Sequence, residues 1–133
     1  MNFTKLLQEL ETLNLPKDQY VIIGSGALAV RNLREAQDLD ILASDSLWKD
    51  LSKKYPITPQ KPPDIEKIQI GNIEFVGHGS SYKEFSKEIF QTAELINDHF
   101  YINLNLLRKV KLKRAREKDL KDVELIDRYL DKA

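Results

Sequence analysis

The chain has 133 residues, of which 41% are hydrophobic, and its 21 basic and 21 acidic side chains cancel to a net charge of zero. This length and composition predict one globular domain, residues 1–133, with an ordinary hydrophobic core. Zero net charge gives no overall attraction to nucleic acid or to an anionic membrane, and the absence of cysteine excludes disulfides, thiolate metal ligands and a cysteine nucleophile.

Targeting signals are also missing from the sequence. Its apolar runs are too short to cross a membrane, and its N-terminus lacks the basic and apolar pattern of a secretory signal. We therefore expect no membrane partner and a cytoplasmic location.

The first predicted element is an amphipathic helix over residues 2–14. Apolar side chains recur there at spacings of three and four, Asn2 or Thr4 provides an N-cap, and Pro16 ends the pattern. We expect this helix to cover one face of a sheet.

Residues 20–42 are predicted to form a strand, a glycine turn, a short helix and a second strand. The apolar run of the first strand stops at Gly24–Gly26, and a second β-rich run covers residues 39–42. Asp38 and Asp40 are two residues apart, so on a strand both side chains would point to one face and could hold the same metal ion.

These residue types suit phosphate chemistry. Gly24 and Ser25 would let a phosphate approach the backbone N–H groups at the start of a helix, where a partial positive charge favours an anion. Mg²⁺ is usually held by one or two carboxylates together with the phosphate oxygens of a substrate. The turn and the two acids therefore predict a site for a nucleotide bound to Mg²⁺, or to Mn²⁺ in its place.

The middle of the chain carries further recognisable patterns. Apolar residues in 44–55 have helical spacing, and residues 56–63 are a proline-rich loop. Residues 65–76 are predicted to form a hairpin, because apolar and polar residues alternate on both sides of a turn at Gly71 and Asn72. A short helix over residues 82–90 and a short strand over residues 101–104 are predicted next. His78 and His99 have no second ligand at zinc spacing.

The C-terminal part is rich in cations. Residues 105–118 contain seven Lys or Arg and one acid, with apolar positions that could anchor one helix face, and a last helix follows. Such a run is either a solvated helix face or a surface for a nucleic acid backbone. Asp119 and Asp122 are expected to cap the last helix or to pair with Arg116 and Lys118 rather than to bind metal.

The spacing of the glycine turn and the acids resembles a known signature. Ile23-Gly24-Ser25, 12 further residues, and then Asp38-Leu39-Asp40-Ile41 are similar to the Gly-Ser turn and Asp-apolar-Asp-apolar strand of the DNA polymerase beta type nucleotidyltransferases. The alanine- and arginine-bearing segment 27–34 resembles that of small prokaryotic members. Residues 116–122, with Lys111 before them, resemble the basic closing segment of the minimal members.

The resemblance implies roles for several residues. Asp38 and Asp40 would hold the metal, Gly24 and Ser25 would hold the nucleotide, and basic residues near the triphosphate would be Lys111 and Arg116. A third carboxylate is expected on a later strand, for which Glu74 is the best-placed acid. Asp64 and Glu66 are the weaker substitutes, and Glu74 on the solvated face of a hairpin is the alternative.

A second pattern uses the same glycines. Residues 24–29 fit the dinucleotide-binding pattern G-x-G-x-x-G/A after a strand. That pattern expects one ribose-binding acid about 20 residues further on, whereas here a pair of acids comes earlier and within a strand. This difference favours the nucleotidyltransferase interpretation.

The predicted fold is α/β (α+β), a small mixed β-sheet flanked by helices, of nucleotidyltransferase type. The predicted function is Mg²⁺-dependent transfer of a nucleoside monophosphate from an NTP to an unidentified hydroxyl acceptor, in RNA or in a protein. The alternative is a catalytically weak or inactive binding module, comparable to the antitoxin-like partner of a toxin–antitoxin pair.

Overall fold

The computed structural model of the protein describes residues 2–60 and 65–131. A mixed sheet of seven strands, in the order β3-β4-β5-β2-β1-β7-β6, forms its centre. Helices pack against this sheet, and the predicted α/β (α+β) fold class is confirmed. No helix within the described ranges has the length and hydropathy needed to cross a membrane.

The elements have the following bounds. The strands are β1 (Tyr20–Ile23), β2 (Leu39–Ala43), β3 (Thr58–Gln60), β4 (Ile65–Ile70), β5 (Ile73–Val76), β6 (Glu94–Ile96) and β7 (His99–Tyr101). The helices are α1 (Phe3–Glu11), α2 (Gly24–Ala29), α3 (Asp45–Lys54), α4 (Ser81–Glu84), α5 (Ser86–Thr92), α6 (Leu104–Arg114) and α7 (Glu117–Asp131), and a short 3₁₀ helix covers Lys17–Gln19.

The strands β1 and β2 lie at the middle of the sheet and run antiparallel, with Ile23 opposite Asp40. Every residue of β1 is buried, as expected of a strand with both faces covered. A dinucleotide-binding unit needs two parallel strands joined by a helix. The antiparallel pairing of β1 with β2 therefore excludes that interpretation of the glycines.

The helices predicted over residues 2–14 and 44–55 are confirmed as α1 and α3, and a side chain caps each of them. The Asn2 side chain accepts a hydrogen bond from the Lys5 N–H, and the Ser44 hydroxyl accepts one from the Leu47 N–H. Such caps satisfy N–H groups that have no partner inside the helix. Leu6 and Leu10 of α1 are buried in the core, so this helix packs as predicted.

The proline-rich segment was predicted to be a loop, and this is wrong for residues 58–60. They form the edge strand β3, in which Pro59 lies opposite Glu66 of β4. An edge strand tolerates proline because its outer side needs no N–H donor. The remaining part of the predicted loop, residues 61–63, and the acid Asp64 lie outside the described residues.

Three predictions between residues 81 and 115 need correction. The helix over residues 82–90 is two short helices, α4 and α5, and the strand over residues 101–104 is displaced, because β7 ends at Tyr101. Asn103 instead caps α6 by accepting a hydrogen bond from the Leu106 N–H.

The strand β6 was not predicted. Ala115 has a left-handed backbone, φ 53°, which ends α6 before the basic run is complete.

The helices α6 and α7 are joined by a buried ion cluster. The Lys111 Nζ lies 2.8 Å from Asp122 Oδ2 and 3.5 Å from Asp119 Oδ1, and the Lys111 side chain is only 6% exposed. Burial alone would raise the pKa of Asp119, but a hydrogen bond from Arg116 and the charges of Arg114 and Lys111 hold that pKa below its ordinary value. The predicted pairing of Asp119 with Arg116 is confirmed, whereas Asp122 pairs with Lys111 rather than Lys118.

We expect Lys111→Met to lower the free energy of unfolding by about 3 kcal/mol, because it leaves two buried carboxylates without their shared cation. Lys118→Met is the matched control, since Lys118 is exposed and forms no ion pair with any described residue. Urea denaturation of both variants measures the difference. Equal stability of the two variants would contradict a structural role for the cluster.

Candidate functional site

One cavity of about 550 Å³ brings together residues that are far apart in the sequence. All seven residues selected from the sequence line it, and they are Gly24, Ser25, Asp38, Asp40, Glu74, Lys111 and Arg116. They come from the start of α2, the start of β2, β5, α6 and the segment before α7. Glu74 is partly buried, with 24% of its side chain exposed, and it lines the cavity.

Gly24 allows Asp40 to lie against the backbone at the end of β1. Its φ is +60°, a left-handed conformation that side-chain-bearing residues rarely adopt. A Cβ atom at this position would lie 2.8 Å from Asp40 Oδ2, which is closer than such atoms approach. Glycine is therefore required both by the turn and by the carboxylate beside it.

Asp40 and Glu74 are held side by side by the sheet. The strands β2 and β5 are parallel, and these two residues are register partners. Asp38 was predicted to stand on the same strand as Asp40, but it lies one residue before β2 and is exposed. It still lines the cavity, so the three carboxylates share one space.

The crowding of these acids changes the protonation of Asp40. Burial raises the pKa of Asp40 to about 7, and the negative charges of Glu74 and Asp38 act in the same direction. The Arg114 charge opposes this shift without cancelling it. Burial and the neighbouring acids thus disfavour the ionised form of Asp40, and a cation bound beside this carboxylate would favour it.

The donor set fits a metal ion that the substrate helps to bind. Within residues 2–60 and 65–131, no group of three His, Asp or Glu side chains is arranged to hold a metal ion by itself. Mg²⁺ commonly binds to one or two carboxylates and completes its shell with substrate phosphates and water. The adjacent carboxylates of Asp40 and Glu74 suit that mode, with Asp38 at the rim.

The two histidines lie away from the cavity. His78 is exposed and is not among the residues that line it. His99 is buried at the start of β7, and its Nε2 lies 2.7 Å from Glu11 Oε1. Neither histidine is among the residues that line the cavity.

The two predicted cations differ in availability. Lys111 lines the cavity, but its ammonium group is occupied by Asp122 and Asp119. Arg116 is 44% exposed, and its Nε donates a hydrogen bond of 2.7 Å to Asp119 Oδ2. Arg116 is thus anchored at one edge while its outer part remains open to the cavity, so it is the better candidate to meet an anion.

Four further cations line the cavity and were not singled out from the sequence. Arg34 lies 3.3 Å from Asp122, and the Arg114 guanidinium lies 5.6 Å from the centre of the Tyr82 ring. Lys67 is ion-paired with Glu74, and Lys118 has no ion-pair partner within the described chain. Arg34 and Lys118 lie in the segments that carry the resemblance, and Arg114 lies in the basic run over residues 105–118, but only the fold distinguishes these three from neighbouring cations. No sequence signal marks Lys67.

Comparison with protein-family models and with curated protein sequences finds no match to this chain. The resemblance to nucleotidyltransferases therefore rests on the sequence motifs alone.

We expect the contribution of Asp40 to the stability of the protein to fall as the pH rises from about 4 to 7. The folded state keeps a proton on Asp40, whose pKa is raised to about 7 from 3.8, while the unfolded state loses it. Asp40→Asn removes this loss. The variant should match the wild type near pH 4 and exceed its free energy of unfolding by about 2 kcal/mol at pH 8, since the folded state disfavours the ionised carboxylate that the variant lacks.

Urea denaturation across this pH range measures the effect. Asp50→Asn, which alters an exposed carboxylate of α3 outside the cavity, is the control and should shift stability equally at every pH. A difference between Asp40→Asn and the wild type that does not change with pH would contradict the raised pKa.

Proposed function

We propose that this chain is a divalent-metal-dependent nucleotidyltransferase that moves a nucleoside monophosphate from an NTP to a hydroxyl acceptor. The observation that carries the proposal is the meeting of the Gly24-Ser25 turn, the Asp40–Glu74 pair and the C-terminal cations around one cavity. These are the groups that a metal-bound triphosphate requires, and they come from distant parts of the chain.

The walls of the cavity suit a triphosphate. Ser25 has no hydrogen-bond partner for its hydroxyl among the described residues, so this group is free to donate to a phosphate oxygen. Arg116 and Lys118 supply positive charge on the side of α7, and Arg114 supplies it from the end of α6. Arginine forms paired hydrogen bonds to phosphate, which fixes orientation as well as charge.

Asp40, Glu74 and Asp38 would hold Mg²⁺, or Mn²⁺ in its place, together with the phosphates. When bound, such an ion neutralises charge on the phosphate oxygens and orients the triphosphate. The two carboxylates of Asp40 and Glu74 must both be ionised for this purpose. Because the pKa of Asp40 is about 7 in the absence of a cation, binding should strengthen as the pH rises through neutrality.

The proposed reaction is a displacement at the α-phosphorus. The acceptor hydroxyl oxygen forms a bond to the α-phosphorus, the bond from that atom to the bridging oxygen of the β-phosphate breaks, and pyrophosphate leaves with the bonding electrons. The hydroxyl proton passes to a carboxylate of the site, for which Glu74 is placed beside Asp40. The cations of the cavity offset the charge that develops on the leaving pyrophosphate.

A second candidate is a module that binds the metal–nucleotide complex but transfers nothing, as an antitoxin-like or regulatory partner of another protein would. The observation in its favour is that Glu74 already has a cationic partner, Lys67, which lies 3.0 Å from its Oε1. A carboxylate oxygen that already accepts from an ammonium group is less available to the hydroxyl of an acceptor. This candidate predicts binding without turnover.

The transfer assay uses each of the four NTPs labelled at the α-phosphate, with Mg²⁺ and with total RNA or total protein as two separate acceptor pools. We expect label to enter one pool, with release of pyrophosphate. Asp40→Asn should reduce the rate at least about 100-fold, because it removes a metal ligand and charge stabilisation worth several kcal/mol.

Asp50→Asn is the matched control and should transfer label at the wild-type rate, because this carboxylate lies outside the cavity. Nucleotide binding without label in either pool would support the second candidate. Transfer that persists in Asp40→Asn would contradict the proposed site.

A further inference from the structure

Lys67 is a cation inside the carboxylate region of the cavity. It lies on β4, next to β5, and its Nζ is 3.0 Å from Glu74 Oε1. The two side chains are 26% and 24% exposed, so solvent screens this pair less than it screens an exposed pair. Both residues line the same cavity as Asp38 and Asp40.

The pairing of Lys67 with Glu74 is diagonal across the strands. The residue directly opposite Glu74 is Gln69, whose side-chain amide donates a hydrogen bond of 2.8 Å to the Gly71 carbonyl. Gln69 is thereby engaged at the hairpin turn. Among the described residues, Lys67 is the cation that contacts Glu74.

A lysine ammonium and a divalent cation seek the same oxygen atoms. Five carboxylates line the cavity, and two of them, Asp119 and Asp122, are paired with Lys111 and with arginines. The other three, Asp38, Asp40 and Glu74, carry three negative charges when ionised; the ammonium group of Lys67 leaves two, which one divalent cation neutralises. A cation that binds between Asp40 and Glu74 must share Glu74 with Lys67 or displace it.

We infer that Lys67 is an internal counter-cation that competes with the divalent cation for Glu74. It acts as a positioning residue: it holds Glu74 in place before the metal–nucleotide complex arrives, and it weakens the binding of a metal ion that comes without nucleotide. This inference rests on the proposed function, because it takes the cavity to be the metal site. Lys67 would thereby make metal binding depend on the nucleotide substrate.

The test is a titration with Mn²⁺ alone, in which electron paramagnetic resonance measures free Mn²⁺ at pH 8 and constant ionic strength. Lys67→Met should bind Mn²⁺ about fivefold to tenfold more tightly than the wild type, since it removes a competing charge from a partly buried site. Lys67→Arg, which keeps the charge, should bind like the wild type.

Lys83→Met is the matched control. Lys83 is 27% exposed and lies 2.6 Å from a carboxylate oxygen of Asp45, but this pair is outside the cavity, so the variant should bind Mn²⁺ like the wild type. Asp40→Asn combined with Lys67→Met should lose the tight binding. Thermal unfolding of each variant establishes that it is folded before the titration.

Two results would overturn the inference, and only the second would also overturn the proposed metal site. If the wild type binds Mn²⁺ in a manner that Asp40→Asn abolishes, and Lys67→Met binds no more tightly, the role of Lys67 is wrong while the metal site stands. If neither the wild type nor Lys67→Met binds Mn²⁺ through Asp40, both the inference and the proposed metal site fail.

Discussion

The repulsion between Asp40 and Glu74 is the constraint on which the rest of the site depends. Parallel pairing of β2 and β5 places the two carboxylates opposite each other, and partial burial denies them full hydration. The pKa of Asp40 rises to about 7 as a result. Two adjacent, partly buried carboxylates lower the stability of the folded state locally. Such a cost is common at functional sites. Gly24 is part of the same arrangement, because only a residue without Cβ leaves room for the Asp40 carboxylate.

The cavity that contains this pair is also lined by cations, one of them buried and others partly exposed. Lys111 is buried with Asp119 and Asp122, where it fixes α6 against α7. Arg116 and Arg34 lean on the same two aspartates from outside and keep part of each side chain exposed. The buried cluster of Lys111, Asp119 and Asp122 therefore orients the exposed side chains of Arg116 and Arg34. A chain with zero net charge can in this way present a strongly cationic wall to an anionic ligand, because its attraction is local.

The sequence predicted the centre of the fold better than its margins. Strands β1 and β2, the hairpin of β4 and β5, and helices α1, α3 and α7 follow from apolar period, caps and a glycine turn, all of which are local signals. β6 and the edge strand β3 were missed because short edge strands depend on partners rather than on their own pattern. The seven chosen residues do share a cavity, but the burial of Lys111 and the presence of Lys67 depend on contacts between distant segments. The spacing of apolar residues along the sequence does not predict such contacts.

The most direct test of the central claim is isothermal titration of the four NTPs with and without Mg²⁺ at pH 8, on the wild type, Asp40→Asn and Asp50→Asn. The account predicts that at least one NTP binds the wild type and Asp50→Asn only when Mg²⁺ is present, and that Asp40→Asn abolishes this binding. Binding that ignores Mg²⁺ or survives in Asp40→Asn, or no binding of any NTP to the wild type, would contradict the assignment of the cavity to a metal-bound nucleotide.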